Sequence, residues 1–321
     1  MDILLSSVSQ GLLWSIMAIG VYITFRLLDI PDLTAEGSFP LGAAICAISL
    51  VNGMNPFLAT FLGMVGGLVI GVVSGLLHTK MKIPALLTGI ITLTGLYSIN
   101  LKILGKANIA LLKEKTLVTM LQGFGIPKVY AVILLGLVFS LVLIVLLTIF
   151  LKTEVGLAIL STGDNEDMSA ANGIRIDNMK ILGYMISNGF IALSGALLAQ
   201  NNGFADLNMG VGTIVIGLAS IIIAEVVIKN LSLGKRIASI IIGSIIYRLV
   251  ISLVLEIPGM DTQLVKLFSA IILAIIFSII LLFVYHIFFL ENKNFIDINK
   301  FMLKEYGKEW AEFLRKENSN V

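Results

Sequence analysis

Apolar residues in this chain come in long unbroken runs, and the polar residues are gathered into short islands between them. Nine runs stand out, over residues 4–25, 37–53, 56–78, 84–104, 129–151, 179–200, 211–229, 235–256 and 264–289. Most reach about 20 residues, the length an α-helix needs to cross the hydrocarbon of a bilayer. A barrel strand needs only about 10 residues of alternating pattern, and backbone groups in lipid must be satisfied within their own element. The pattern therefore predicts an all-α, polytopic membrane helical bundle of about nine transmembrane helices.

Two places depart from plain apolar runs. The second run is short and comes after Arg26–Pro40, a stretch carrying Arg26, Asp29, Asp32 and Glu36 together with Pro31 and Pro40. Such a segment cannot be a regular lipid-facing helix, so it reads as a loop or as a broken entry to the second span, buried in protein or lining a wet cavity. The other departure is a polar island, Thr153–Lys180, between the runs 129–151 and 179–200. Within it lies a compact helix signal: Thr162 or Asp164 as cap, Glu166 and Asp167 in the first turn, Ala170 and Ala171 as helix formers, and Gly173 as the stop. A short, defined helix on a loop of a membrane protein suggests a docking element.

Lysine and arginine counts orient the chain. With the island inside, the inner segments hold Arg26, Lys80, Lys82, Lys152, Arg175, Lys180, Lys229, Lys235 and Arg236, which places the N-terminus outside and the C-terminus in the cytoplasm. The outer loop Gly105–Lys128 works against this bias, and its Ile109–Leu121 segment reads as an amphipathic helix lying at the interface. Gly63, Gly67, Gly71 and Gly75 recur every four residues, a seam that lets a neighbouring backbone approach closely. The expected domains are a transmembrane domain over 1–290 and a cytoplasmic amphipathic C-terminal helix over 291–321.

Composition agrees and narrows the chemistry. Hydrophobic residues make up 58 % of the chain and charged residues 13 %, against a soluble norm of roughly 25 % charged; mean hydropathy is +1.02. The net charge of +2 gives no sign of a nucleic-acid partner, and one cysteine, Cys46, excludes a disulfide framework within the chain. The two histidines, His78 and His286, fit neither a protease pair nor a metal cluster. No P-loop is present, so any ATP must be hydrolysed on another chain, and no cofactor or metal is expected on this one. Charges inside a membrane mark function or buried pairs by default. Arg26 and Asp29, three apart, are spaced to pair locally, while Arg248 needs a partner, with Glu36 or Glu225 as candidates.

Ser161–Gln200 resembles the main cytoplasmic loop and following span of ABC-importer permeases of the branched-chain amino acid and ribose class. Thr162, Gly163 and Asn165 match the start of that pattern, Gly173 and Ile174 its end, and Ala192, Leu193, Gly195 and Ala196 the span. The Gly234–Lys235–Arg236 turn also looks like the class's glycine-basic loop, and Gln10–Ile45 is similar to a narrower subgroup of tryptophan/tyrosine (aromatic amino acid) permeases. The likeness spans roughly Gln10 to Leu290 and departs from the Glu-Ala-Ala loop of other importers, since Ser169 precedes Ala170 and Ala171. It implies a multi-pass protein of a bacterial cell membrane, working as a dimer with a second copy of itself, two cytoplasmic ATPase subunits and an external binding protein. Thr162, Gly163, Asp164, Asn165, Glu166, Asp167, Met168, Ala170, Ala171 and Gly173 would then form a coupling helix. Asp32, Thr34, Glu36, Ser38 and Phe39, with Thr88, Thr92 and Asn100, are the candidates for lining a solute pathway, with capping and packing of a broken helix as the competing role. The expected function is thus the permease subunit of an ATP-driven importer of an amino acid or similar solute. An ion-coupled secondary transporter with a broken-helix site is the alternative, and a membrane scaffold a third reading that the proline-broken second span disfavours.

Overall fold

The computed structural model describes residues 2–228 and 231–256, with single helical positions at 267, 271, 274, 275 and 278. Eleven helices lie in the continuous part: α1 (Asp2–Tyr22, continued by a π-helical turn Ile23–Leu27), α2 (Ala35–Val51), α3 (Pro56–Thr79), α4 (Ala85–Leu104), α5 (Leu117–Gln122), α6 (Lys128–Leu151), α7 (Glu154–Asp164), α8 (Glu166–Ala171), α9 (Ile176–Asn202), α10 (Thr213–Val227) and α11 (Leu233–Leu255). Among the described residues, seven helical segments are long and apolar enough to cross a membrane, and α2, at 17 residues, is a shorter eighth. Apart from those single positions, the ninth expected span, 264–289, lies outside the described residues, as does the C-terminal tail. The chain divides into two compact units, Met1–Ser269 and Ala270–Val321, and all eleven helices belong to the first.

Local chemistry sets the helix ends. Asn55 caps α3 by accepting from the Phe57 N–H at 2.9 Å, with Pro56 in the first turn, where its missing N–H costs nothing. Gly203 ends α9 in the left-handed region at φ +77°. Within 105–128 the chain departs from the amphipathic helix that Ile109–Leu121 suggested. Strand β1 (Asn108–Ala110) pairs antiparallel with β2 (Phe204–Asp206), and a helix forms only at α5, where Thr116 and Thr119 make a capping box. Sequence-distant pairing with β2 overrides local amphipathicity here. This ribbon marks one end of the bundle; α7 and α8 mark the other.

At the centre of the fold, α9 is packed by α1, α2 and α3. The glycine seam is the reason α3 lies so close. A Cβ at Gly67 or Gly71 would fall on the carbonyl oxygens of Asn188 or Tyr184, and one at Gly75 would meet Ile181 Cα at 2.8 Å. Small residues at this spacing replace side-chain interdigitation with backbone contact. The outward faces of α3, α4 and α6 carry exposed apolar side chains such as Phe57, Phe61, Leu86, Tyr97, Leu141 and Leu146. That is the surface a bilayer solvates, and it is the inverse of a water-soluble protein.

Candidate functional site

The polar island folds into two helices rather than one. Thr153 caps α7, accepting from the Gly156 N–H at 3.2 Å. The second cap falls at Asn165, not at Thr162 or Asp164. Asn165 breaks the helix with extended backbone (φ −160°, ψ 109°), and its side-chain oxygen accepts from the Met168 N–H at 2.9 Å. Thr162 instead lies inside α7, buried, with its hydroxyl donating to the Ala158 carbonyl. Gly173 (φ +82°) closes α8, and the Ile174 N–H returns to the Ser169 carbonyl.

α8 stands almost entirely in the open. Asp164 to Met168 and Ala170 to Gly173 are exposed, and only Ser169 is buried, its hydroxyl 2.6 Å from that of Ser161 on α7. Lys180 of α9 braces it through a 2.7 Å ion pair with Glu166. By contrast α7 is seated deeply at one point. A Cβ at Gly163 would fall on the Leu27 carbonyl oxygen and lie 3.0 Å from Leu28 Cα. Ile159, Leu28, Ile30 and Tyr184 form a small buried cluster around that contact.

Leu27 is the last residue of the π turn, and the backbone beyond it is irregular until Ala35. Of the segment Arg26–Pro40 only 28–34 is irregular. Glu36 and Pro40 lie inside α2, which runs without interruption from Ala35 to Val51, so the stretch is a loop before the second span and not a break within it. Asp29 takes φ +54° there, and the Ile30 N–H donates back to the Thr24 carbonyl at 2.8 Å. Asp32 is 1 % exposed, with one carboxyl oxygen accepting from the Thr34 N–H (2.9 Å) and the other from Asn188 Nδ2 (2.8 Å). The Thr34 hydroxyl touches Ser74 Oγ at 3.0 Å and Thr92 Oγ1 at 2.8 Å, so α3 and α4 meet the break at one residue. Ser38 donates to Asn188 Oδ1 at 2.6 Å, and Asn100 Nδ2 reaches the Gly37 carbonyl at 3.2 Å.

Asp32, Thr34, Ser38, Thr92 and Asn100 are thus gathered at a junction of α2, α3, α4 and α9, while Thr88 and Phe39 are buried beside it. In this conformation the junction is closed to solvent, and nearly every polar atom in it is hydrogen-bonded; Asn100 Oδ1 lacks a partner. Sequence reasoning missed Ser74 and Asn188. Both carried a signal: Asn188 is an amide in the middle of an apolar run, and Ser74 adjoins the glycine seam.

The charges pair differently from expectation. Arg26 reaches Glu225 in a bidentate contact (Nε to Oε1 3.0 Å, Nη2 to Oε2 2.6 Å) instead of pairing with Asp29. The turn after Arg26 leaves the helix, which removes the three-residue spacing. Glu225 is therefore not the partner of Arg248. Nor is Glu36, whose Oε1 accepts from the Gly212 N–H at 2.9 Å, in the positive field at the start of α10. Arg248 instead lays its guanidinium over the Trp14 ring, 4.5 Å from the centroid. Trp14 in turn stacks on Phe39 at 5.3 Å and 21°.

A family model described as branched-chain amino acid transport system / permease component matches residues 3–280. The chain belongs to this permease family. A tyrosine transport system permease protein of Clostridioides difficile is 46 % identical over 84 % of this chain and 88 % of its own length. An uncharacterised protein of Rickettsia prowazekii is 34 % identical over 87 % of this chain and 98 % of its own. An autoinducer 2 import system permease protein of Photorhabdus luminescens is 27 % identical over 61 % of this chain and 58 % of its own. No solved structure matches. This permease is a multi-pass membrane protein, and the irregular segment 28–34 and the polar junction lie within the matched region.

Proposed function

We propose that this permease is the membrane subunit of an ATP-driven importer of an amino acid, of the aromatic class named for its Clostridioides difficile relative. The observation that carries the reading is the seating of α7. Gly163 presses on Leu27, the last residue of the π turn, and on Leu28, the first of the irregular segment that holds Asp32 and Thr34, while α8 projects into the open beyond it. A short exposed helix braced on a buried lever has the form a partner needs to push on, and packed elements with two arrangements convert small shifts into larger ones. In this reading α7 and α8 lie in the cytoplasm against the ATPase subunits, which carry ATP and Mg²⁺. The N-terminus and the β1–β2 ribbon lie outside, where a binding protein delivers solute. A second copy of the chain and membrane lipid share the exposed apolar faces of α3, α4 and α6.

Asp32, Thr34, Ser38, Thr88, Thr92 and Asn100 line the route only after α2 moves relative to α3 and α4, because here their hydrogen bonds hold the helices shut. Asp32 also supports the ion-coupled alternative, being a buried carboxyl without a cationic partner among the described residues. One experiment separates the two. The chain is co-expressed with candidate ATPases, purified in detergent and reconstituted for uptake. An importer recruits an ATPase and loses uptake, but not ATPase binding to the remaining contacts, in a Glu166→Lys/Asp167→Lys variant. Uptake driven by an ion gradient without any ATPase refutes the importer reading.

A further inference from the structure

Arg248 sits 15 residues into α11, about 22 Å along its axis at ~1.5 Å per residue, and so within the membrane-spanning stretch. It lies on an aromatic ring, a contact that uses the face of the guanidinium and none of its N–H donors. Arg248 Nε is buried without a hydrogen-bond partner, and among the described residues no carboxylate lies within ion-pair distance of it. The two acids that could have served are engaged elsewhere, Glu225 by Arg26 and Glu36 by the Gly212 N–H. Ser244, one turn earlier on the same face of α11, and the Trp14 indole on α1 are also buried groups whose polar atoms, Oγ and Nε1, have no partner.

An unsatisfied cation with two unsatisfied neutral groups near it, beside a Trp14–Phe39 stack, is not a packing solution. A cation in a bilayer is retained where something pairs with it, and buried polar atoms normally find partners. The missing complement is an acceptor with negative charge. A guanidinium whose face is pinned on an indole presents its edge, the geometry a carboxylate takes in a two-pronged pair. The aromatic wall beside it suits an apolar side chain on the same solute.

We propose that Arg248, with Ser244 and the Trp14–Phe39 stack, forms a binding site for the carboxylate of the transported solute, in the half of the membrane nearer the β1–β2 ribbon. The site rests on the permease reading for its solute, but binding there requires no ATPase. Trp14 reports on it directly. The chain has two tryptophans, so Trp310→Phe leaves Trp14 as the sole one.

The full-length Trp310→Phe chain in zwitterionic-lipid nanodiscs is excited at the red edge of tryptophan absorption and titrated with L-phenylalanine, hydrocinnamate and phenethylamine. The two carboxylates are expected to change Trp14 emission saturably, and phenethylamine, which lacks the carboxylate, is not. Arg248→Gln is expected to raise the midpoint at least tenfold. Arg248→Lys, which keeps the charge but not the fork, is expected to fall between and covers the case in which the glutamine variant does not fold. Equal responses to phenethylamine, no saturable response, or lysine and glutamine variants titrating like the parent overturn the proposal. So does loss of the response when anionic lipid is added, which assigns Arg248 to a lipid headgroup. A chain that titrates but recruits no ATPase keeps the site and loses the importer; a flat titration in a chain that does recruit one has the opposite effect.

Discussion

Asn188→Ala removes one side chain and undoes the junction from the centre. The amide accepts from Ser38 Oγ at 2.6 Å and donates to Asp32 Oδ2 at 2.8 Å and to the Tyr184 carbonyl at 3.0 Å. The Tyr184 carbonyl belongs to the α9 backbone and loses little. Ser38 and Asp32 are 0 % and 1 % exposed, so neither recovers its partner from water. A neutral group left unsatisfied in a buried site costs about 1–3 kcal/mol and a charged one more, which puts the loss at about 3–5 kcal/mol. Native stabilities are roughly 5–15 kcal/mol, so a large fall in the unfolding midpoint is expected.

Part of that cost is the stranded carboxyl, which a double-mutant cycle isolates. Asp32→Ala in the Asn188→Ala background is expected to restore stability, with a coupling of about 0.6–1.7 kcal/mol if the contact behaves as a usual interhelical hydrogen bond in a membrane. A value above that range is expected if Asp32 is ionised. The assay is thermal or denaturant unfolding of the four purified chains in one detergent. Additivity within ~0.5 kcal/mol refutes the account of Asp32 as a carboxyl held by Asn188.

The other predictions probe the lever, the seam and the surface. Gly163→Ala is expected to push α7 off Leu27 and Leu28, costing about 1–3 kcal/mol by overpacking, and to lower solute moved per ATP in proteoliposomes while ATPase is still recruited; Gly95→Ala, at a position with nothing within 4 Å, is the control and is expected to change neither measurement. Gly67→Val is expected to abolish the close α3–α9 approach, and a well-folded Gly67→Val chain by size-exclusion and thermal melt would contradict the seam. Arg26 is 57 % exposed and Glu225 25 %, so Glu225→Gln is expected to cost about 1 kcal/mol or less, with Arg26→Glu/Glu225→Arg recovering most of it in the same melt.

Much of the architecture was legible because membrane helices announce themselves by length. The spans expected at 56–78, 84–104 and 129–151 differ from α3, α4 and α6 by at most one residue at either end. The break between α1 and α2 was legible for the same reason inverted: Pro31 and a cluster of charges cannot sit in lipid as helix. The partners of those charges were not legible. Arg26 and Glu225 are 199 residues apart, and only the path of α10 back beside α1 brings them together. The cap at Asn165 was missed because Thr162, Asp164 and Asn165 are all good caps by type. The choice among them was made by Thr162 being buried in α7. The β1–β2 ribbon was missed because three-residue strands leave no periodicity to read.

Where α7 touches α1 bears on how movement would travel. Had Gly163 packed against the middle of a helix, displacement of α7 could pass on only as a shift of that whole helix. It packs instead where the π turn gives way to an irregular stretch, at Leu27 and Leu28, and there backbone dihedrals can change at a few positions while α1 and α2 each keep their hydrogen bonds. Thr34, at the far end of the same stretch, bonds to both α3 and α4 through one hydroxyl. A push at Leu27 therefore reaches a residue whose two hydrogen bonds hold α2 to its neighbours, seven positions along the chain. Cutting that link without altering α7 separates transmission from docking. Thr34→Val, nearly the same shape without the hydroxyl, is expected to leave ATPase recruitment intact and to loosen α2. The expected readout is ATP hydrolysis that no longer depends on solute delivery. A Thr34→Val complex that keeps its solute dependence would mean the movement bypasses the break.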